Sequence, residues 1–592
     1  MSILRCGVRN KGGQRGESQG HSLTTTSEEG RPCTLDGSRP NGHFYLRPFR
    51  IFIPQDSLGQ AAGRPNVIFI VTDDLDSASA PLMPTIRSEL IGKGTSFDDT
   101  FISYPLCCPS RSTVLTGLYA HNHNVRGNKP PEGGFKKFVS EGHEENTIAT
   151  DLQHSGYKTA LFGKYLNGYP ANNDPTHVPP GWDEWYGKED GQKLYNYGIN
   201  ENGQVVSYSN NTDDFYTDVL SGQVTDYVRR EASDSSPFFM YIAPTAPHGP
   251  ATPPKRYKGA FAGQSPLRPP SFNEQDVSDK PSWIRDTDPL SDKQVSKIDD
   301  YYRQRLESML AVDDMVSSLI RELEASGKLD NTFIFFTSDN GFQQGEHRIP
   351  KGKNRPYEES VRVPLFVRGP GVPAGAKTED LVVNTDFALT FADLGGVSFS
   401  GDGRSFKPLL QGADSPWRSA VLLERSSNNK QAFSAIRTNN YKYVEYNNGE
   451  KELYDLQADP YELDSIPEST NPSLYADLKA KLDALKSCSG EGCREAENFS
   501  QSPSALPLPS SGGPPQAAAP SSSSVGDVNK ANGAATLPYQ GEAYTVQYGD
   551  TLSEIAQRSG STVVAIAEAN GIQDPNVIFA QQRLYIPVSS VS

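Results

Sequence analysis

Cysteine is scarce in this chain, six among 592 residues. That is too few to staple a chain of this length, so the fold has to rest on buried apolar surface. Positive charge is also short: Lys+Arg 56 against Asp+Glu 72 leaves a net −16. The balance argues against a surface built to coat a nucleic-acid backbone or an anionic membrane, and any anion site must gather its cations locally. No stretch comes near the roughly 18 consecutive apolar residues of a membrane-spanning helix. The best N-terminal candidate, FYLRPFRIFI, is broken by Arg47 and Arg50. The sequence as written shows neither a membrane span nor a signal peptide. What it does have is 35% hydrophobic residues, enough for a large core in a chain too long for one domain.

Residues 1–62 are polar, Gly-rich and aperiodic, the pattern of a disordered leader. Over 63–420 the pattern is α/β. NVIFIVTDD is a continuous apolar run ended by carboxylates, as in a central strand buried on both faces, and YKTALFGK and NTFIFFTSDNG repeat it. Between the last two, 292–328 carries Tyr302, Leu306, Leu310, Val312, Val316, Ile320 and Leu323 at helical spacing, closed by Gly327. From 421 to 495 the signals shorten to aromatic-rich strands, with NNG marking a turn, and a small antiparallel subdomain is expected. The Ser/Pro/Ala/Gly tract 496–541 reads as a spacer. After it, 542–588 reads as strand, two short helices and strand, with Asp550-Thr551 and Gly560-Ser561-Thr562 as helix starts.

The segment with the most chemistry is PLCCPSRSTVLTGLYAHNHNV. Pro109 suits a helix N1 position, the helix N-terminus then faces whatever Cys107 binds, and an anion there is favoured with Arg111 close by. Thr72-Asp73-Asp74 and Ser338-Asp339-Asn340-Gly341 put oxygen ligands at two strand ends. Such a set suits a hard cation, Ca²⁺ or less readily Mg²⁺, and not zinc. Lys164 ends a strand run, Lys353 precedes Tyr357-Glu358, and His248 sits in APTAPHGP. Cys488 and Cys493 close CSGEGC and are spaced for a local disulfide. Asn210 and Asn498 begin glycosylation sequons, and His121 and His123 are candidates for touching substrate.

LCCPSRSTVLTG resembles the CxPSRxxxLTG signature of the formylglycine-dependent sulfatases, and the resemblance continues over about 63–495 through LFGKYLNGY, VPPGWDEWYG, APHGP, SDNG, GKNRPYEE and ELYDLQADPYE. It implies an alkaline-phosphatase-like fold, a large mixed sheet between helices with a small C-terminal antiparallel sheet. It implies hydrolysis of sulfate monoesters by formylglycine, 3-oxoalanine made from Cys107 by a formylglycine-generating enzyme. Asp73, Asp74, Asp339, Asn340 and residue 107 would hold Ca²⁺. Arg111, Lys164 and Lys353 would hold the sulfate oxygens, and His248 or Lys353 would protonate the leaving alcohol. The family often has His two residues after the Lys of GKWHLG. Here Leu166 stands there, the next polar residue being Asn167, a further candidate for touching substrate. Many members also have His after SDNG, where this chain has Phe342-Gln343-Gln344. The branch most resembled holds N-acetylglucosamine-6-sulfatases, heparan sulfatases and some arylsulfatases, so the substrate is a sulfated small molecule or polysaccharide. The alternatives are a phosphonate monoester or phosphodiester hydrolase of the same superfamily and a glycan-binding wall protein without activity.

The last module, with YTVQYGDTLSEIAQRSGSTVVAIAEANGI and RLYIPV, resembles a LysM domain. It implies binding of N-acetylglucosamine-containing polymers, chitin or peptidoglycan, through Gly549, Asp550, Thr551, Asn576, Val577 and Ile578. Formylglycine generation in the endoplasmic reticulum and the sequons imply secretion or residence at a cell wall or in a periplasmic space. The lack of a signal peptide conflicts with that, and a misplaced start codon would reconcile the two.

Overall fold

The computed structural model describes residues 63–498 apart from 171–173, 190, 265, 414–415 and 427–430, together with 542–546, 551–559, 561–570, 572 and 583–587. The expected leader and most of the expected spacer lie outside these residues. Ten strands form the main sheet. From edge to edge they are Ala376–Thr378, Thr95–Phe97, Leu365–Arg368, Thr332–Ser338, Asn66–Thr72, Phe238–Ala243, Lys158–Gly163, Glu184–Lys188, Tyr197–Glu201 and Gln204–Tyr208. From Thr332–Ser338 through Glu184–Lys188 all neighbours are parallel, and antiparallel pairings flank this centre on both sides, giving the expected mixed sheet.

The unbroken apolar runs follow from burial on both faces. A strand alternates its side chains: Val67, Phe69 and Val71 join one core with Phe333 and Phe335, while Ile68 and Ile70 join the other with Ile334 and Phe336. The first core is closed by Val114 and Leu115 of helix Cys107–Thr116 and by Phe387 and Phe391 of helix Asp386–Gly395. The second is closed by Leu220 and Val224 of helix Tyr216–Arg230 and by Leu306, Val312, Val316 and Leu323 of helix Asp292–Ala325. The long helix starts at Ser291, whose amide donates to Gln294 Oε1 at 3.0 Å. It stops at Gly327, where φ is +65° and a residue with a Cβ would be strained.

Ala420–Arg425, Phe433–Thr438, Tyr441–Tyr446 and Lys451–Asp455 form an antiparallel sheet under helix Pro472–Leu485, with the predicted turn at Asn447-Asn448-Gly449. Its core is shared with Phe101, Tyr119, Val361, Leu381 and Val383 from the larger body. The chain at 496–498 still belongs to that body, and not to the spacer expected to begin at 496. Glu497 is fully buried and accepts from the Tyr119 hydroxyl at 2.8 Å, with Arg404 2.9 Å away. In the last module Glu542–Thr545 pairs antiparallel with Arg583–Ile586, and helices Leu552–Ser559 and Val563–Ala569 lie between them in the chain. Thr562 caps the second helix, its Oγ1 accepting the Ala565 amide at 3.1 Å. Leu552, Ile555, Ile566, Leu584 and Ile586 close a small core of its own.

Candidate active site

Parallel register builds the site. Thr72 stands opposite Ser338, so the next residues on each strand, Asp73-Asp74 and Asp339-Asn340, leave the sheet side by side. The Asp339 amide donates to Thr72 O at 3.0 Å, and the Asp74 amide to Asp339 Oδ1 at 3.2 Å. Strand Lys158–Gly163 ends at a glycine with φ +108°, where a Cβ would lie 2.3 Å from Ala243 O. That close approach lets Lys164 turn inward, and its Nζ reaches Asp73 Oδ2 at 2.6 Å. From the loop after Phe238–Ala243, His248 Nε2 comes to 3.6 Å from Asp74 Oδ2, while its Nδ1 meets Gly249 O at 2.8 Å.

Cys107 is itself the first residue of its helix, so Pro109 stands third and not at the expected N1. Proline is tolerated there because first-turn amides have no partner within the helix. Asn128 Oδ1 accepts the Cys108 amide at 2.9 Å and fixes this helix start. Cys107 Sγ lies 3.5 Å from Asp73 Oδ1 and 2.7 Å from Lys353 Nζ, which also contacts Asp74 Oδ1. Cys108 joins the core beneath.

The unmodified side chain of Cys107 is not itself an anion. Burial pushes the thiol up to about 12 against the pull of Lys164 and Lys353, and Asp73 and Asp339 add to the push. Residue 107 as cysteine is a thiol, poorly suited to attack. Around it, burial would raise Asp73, but Lys164, His248, Lys353 and Arg111 hold it far below the ordinary range. Burial and the neighbouring Asp73 raise Asp339. Asp74 and Cys107 hold Lys353 well above the usual lysine value despite burial.

Arg111 is braced beside the site with its Nη2 buried and without a partner. Its side chain and that of Asp339 are wholly buried, with Nε 2.8 Å from Asp339 Oδ2 and Nη1 2.8 Å from Lys164 O. It orients a carboxylate and a strand end. Lys353 and His248 remain 14% and 25% exposed, so the open side of the site is theirs.

The donor set fits a hard cation. Asp73, Asp74, Cys107 and His248 each bring a ligand atom within 4.8 Å of the others. Asn340 donates its Nδ2 to Asp74 Oδ1 at 2.7 Å, which leaves Asn340 Oδ1 buried with no donor. A buried acceptor without a partner beside three carboxylates is where a divalent cation is favoured.

Other predicted residues lie elsewhere. His123 is fully buried, with Nε2 3.0 Å from Thr113 Oγ1 and Nδ1 accepting the Val125 amide, and burial lowers it to about 3, so it offers substrate no free nitrogen. His121 pairs with Glu424 at 3.1 Å. Asn167 has a buried Oδ1 without a partner. Cys488 and Cys493 are joined as a disulfide, and Asn210 and Asn498 are exposed. Of the expected glycan contacts, Thr551 is described and exposed, whereas Gly549, Asp550, Asn576, Val577 and Ile578 lie outside the described residues.

Arg305 was not singled out from sequence. It is buried in helix Asp292–Ala325 and donates Nη2 to Asp74 O at 2.5 Å and to Asp76 Oδ2 at 3.2 Å. The signal was there, a charge between Tyr302 and Met309 on the apolar stripe. A groove of about 680 Å³ lined by Leu118, Asn122, Phe399, Asp402, Arg404 and Arg494 contains none of the site residues.

Known proteins resemble this chain over most of its length. The Sulfatase family model matches residues 65–397, the model for the C-terminal part of N-sulphoglucosamine sulphohydrolase matches 345–488, and the LysM domain model matches 544–587. The N-acetylglucosamine-6-sulfatase of Capra hircus is 35% identical over 488 residues, 74% of this chain and 87% of the relative. A structure solved in complex with its substrate D-glucosamine-2-N,6-O-disulfate superposes with a TM-score of 0.60 at 25% identity, over 73% of this chain and 98% of the other. The phosphonate monoester hydrolase of Agrobacterium radiobacter shares the fold, with a TM-score of 0.56 at 21% identity over 72% and 96%. The chain belongs to the sulfatase family and is a sulfatase enzyme.

Proposed function

We propose that this sulfatase hydrolyses sulfate monoesters on N-acetylglucosamine-type saccharides, using formylglycine made from Cys107 and Ca²⁺ held by Asp73, Asp74, Asp339 and Asn340. The observation that carries the reading is the position of Cys107. It stands at a helix start, against Lys353 and Asp73, and its unmodified thiol is held protonated. The likeness to N-acetylglucosamine-6-sulfatase supports the substrate class.

Converted and hydrated, residue 107 supplies two hydroxyls on one carbon, one to attack sulfur and one to release sulfate afterwards. The cation, when bound, supplies charge that polarises the ester and favours the deprotonated nucleophile. The rest belongs to the side chains. Lys164 and Lys353 bring two ammonium groups to the sulfate oxygens, stabilising charge as it develops. Arg111 keeps Asp339 aimed at the centre. With Nδ1–H donating to Gly249 O, Nε2 is the nitrogen of His248 left to exchange a proton, and in its imidazolium form the ring gives that proton to the leaving alcohol.

We further propose that the enzyme is secreted and that its LysM module holds it on chitin or peptidoglycan. The disulfide Cys488–Cys493 and the exposed Asn210 and Asn498 support an oxidising, glycosylating route. Pull-down on both polymers, with and without 542–592, tests the targeting.

The catalytic reading is tested by kcat/KM of wild type and Cys107→Ala on N-acetylglucosamine-6-sulfate, an aryl sulfate and an aryl phosphonate monoester. Sulfate esters should be preferred, and the variant should lose roughly 10⁴-fold. Preference for the phosphonate would replace the reading with a phosphonate hydrolase. Full activity in Cys107→Ala would overturn the nucleophile. Turnover of no ester would leave a glycan-binding protein.

A further inference from the structure

Two arginines, Arg355 and Arg425, meet just past Lys353, whose Nζ touches Cys107 Sγ. Arg355 follows Lys353 by two positions and donates Nη1 to Asn354 O at 3.1 Å. Arg425, at the end of strand Ala420–Arg425, donates Nη1 to that same carbonyl at 3.0 Å and to Gln431 O at 3.3 Å. Two guanidinium groups thus meet on one oxygen. Tyr104 ties this strand end to the Cys107 segment, its hydroxyl donating to Arg126 O at 2.6 Å with Ser426 O 3.0 Å away. The Nε of Arg355 is buried without a hydrogen-bond partner.

Other arginines of this acidic chain find carboxylates, as Arg230 does with Glu184 and Arg256 with Asp218, both at 2.6 Å. Among the described residues no ion pair joins Arg355 or Arg425 to an Asp or Glu. Like charges held this close repel. Arg355 is pulled down to about 10, by burial and then by the charge of Arg425, and burial lowers Arg425 as well. An oxyanion set between them would satisfy the free donor and offset the repulsion. Tyr104 stands three residues before Cys107, Asn128 holds the Cys108 amide two residues after Arg126, and Lys353 touches Cys107 Sγ.

We propose that Arg355 and Arg425 form a second anion subsite, which takes a carboxylate or a second sulfate group of the saccharide whose sulfate ester is cleaved at residue 107. The inference rests on the sulfatase reading above and narrows its substrate to saccharides with at least two anionic groups.

The test compares three substrates of the full-length enzyme: monoanionic N-acetylglucosamine-6-sulfate, N,6-O-disulfated glucosamine, and N-acetylglucosamine-6-sulfate linked to a uronic acid. Arg355→Gln and Arg425→Gln should each lower the dianionic-to-monoanionic ratio of kcat/KM about tenfold, through KM. Arg355→Lys should keep most of it, since charge is retained. The arm that falls tells sulfate from carboxylate, and a ratio unchanged on both arms in both Gln variants overturns the subsite. Should wild type cleave none of the three, the functional reading fails, and calorimetric binding to Cys107→Ala decides the subsite. The same tenfold change in the affinity ratio supports it, and an unchanged ratio overturns it.

Discussion

Two dense clusters of charge lie within this fold, and only one of them is built for chemistry. Around Cys107, Asp73, Asp74, Asp339, Lys164, Lys353 and Arg111 converge on a thiol, an acceptor without a donor and an open side. The second cluster joins the Lys353 loop to the small sheet. His347 Nδ1 meets Glu274 Oε2 at 2.8 Å and stacks on Tyr357 at 4.1 Å. Lys442 Nζ lies 2.8 Å from Glu358 and 2.7 Å from Glu462. His347, Lys442, Glu358 and Glu462 are all buried. This network contains no nucleophile and offers substrate no access. Its pairs hold Tyr357 and Glu358, a few residues past Lys353, against the C-terminal sheet. Density of buried charge therefore does not mark an active site. A reactive atom and exposure do.

The comparison predicts opposite phenotypes. Lys353→Ala should lower kcat on a sulfate ester by roughly 10²–10³-fold, the scale for removing one charge stabiliser. A change under tenfold would put Lys353 outside the chemistry. Chelation should remove most turnover and lower Tm, with Ca²⁺ restoring both better than Zn²⁺. A Tm that does not respond to the chelator would count against a cation at Asp73, Asp74 and Asn340. Lys442→Met should act on stability instead. It strands Glu462 and leaves Glu358 to Arg362 and Arg437 alone, at a cost of about 3–5 kcal/mol, visible as a lower Tm while the enzyme that remains folded keeps most of its kcat. Lost turnover at unchanged Tm would erase the contrast between the clusters.

The smallest effect is pH-dependent. Burial opposes protonation of His347, but Glu274 and Glu359 raise it from 6.5 to about 10. A raised histidine stabilises the fold fully below its unfolded value, and the contribution is lost as pH rises through the folded one. The Tm gap between wild type and His347→Gln should be widest below pH 6.5 and shrink towards pH 10. A gap that widens with pH would contradict the pairing.

Much of this was legible in the sequence because parallel strands buried on both faces must be apolar throughout and must end in their site residues. Asp73-Asp74, Lys164 and Asp339-Asn340 are such ends, and Cys107 announced itself by its motif. Side-chain direction was not legible. The motif shows a cation near Cys107, but only packing turns Arg111 towards Asp339. His123 reads as a polar loop residue until Thr113 and Val125 are found against its ring. Arg355 and Arg425 come from distant segments and share no local pattern, so their meeting on Asn354 could come only from the fold.

The central claim, that residue 107 acts as formylglycine, is met most directly by mass spectrometry of the tryptic peptide containing Cys107, taken from enzyme whose sulfatase turnover has been measured. The account predicts that active preparations carry the aldehyde, sulfur replaced by oxygen, in proportion to their kcat. Full turnover from protein whose peptide holds only unmodified cysteine would contradict it.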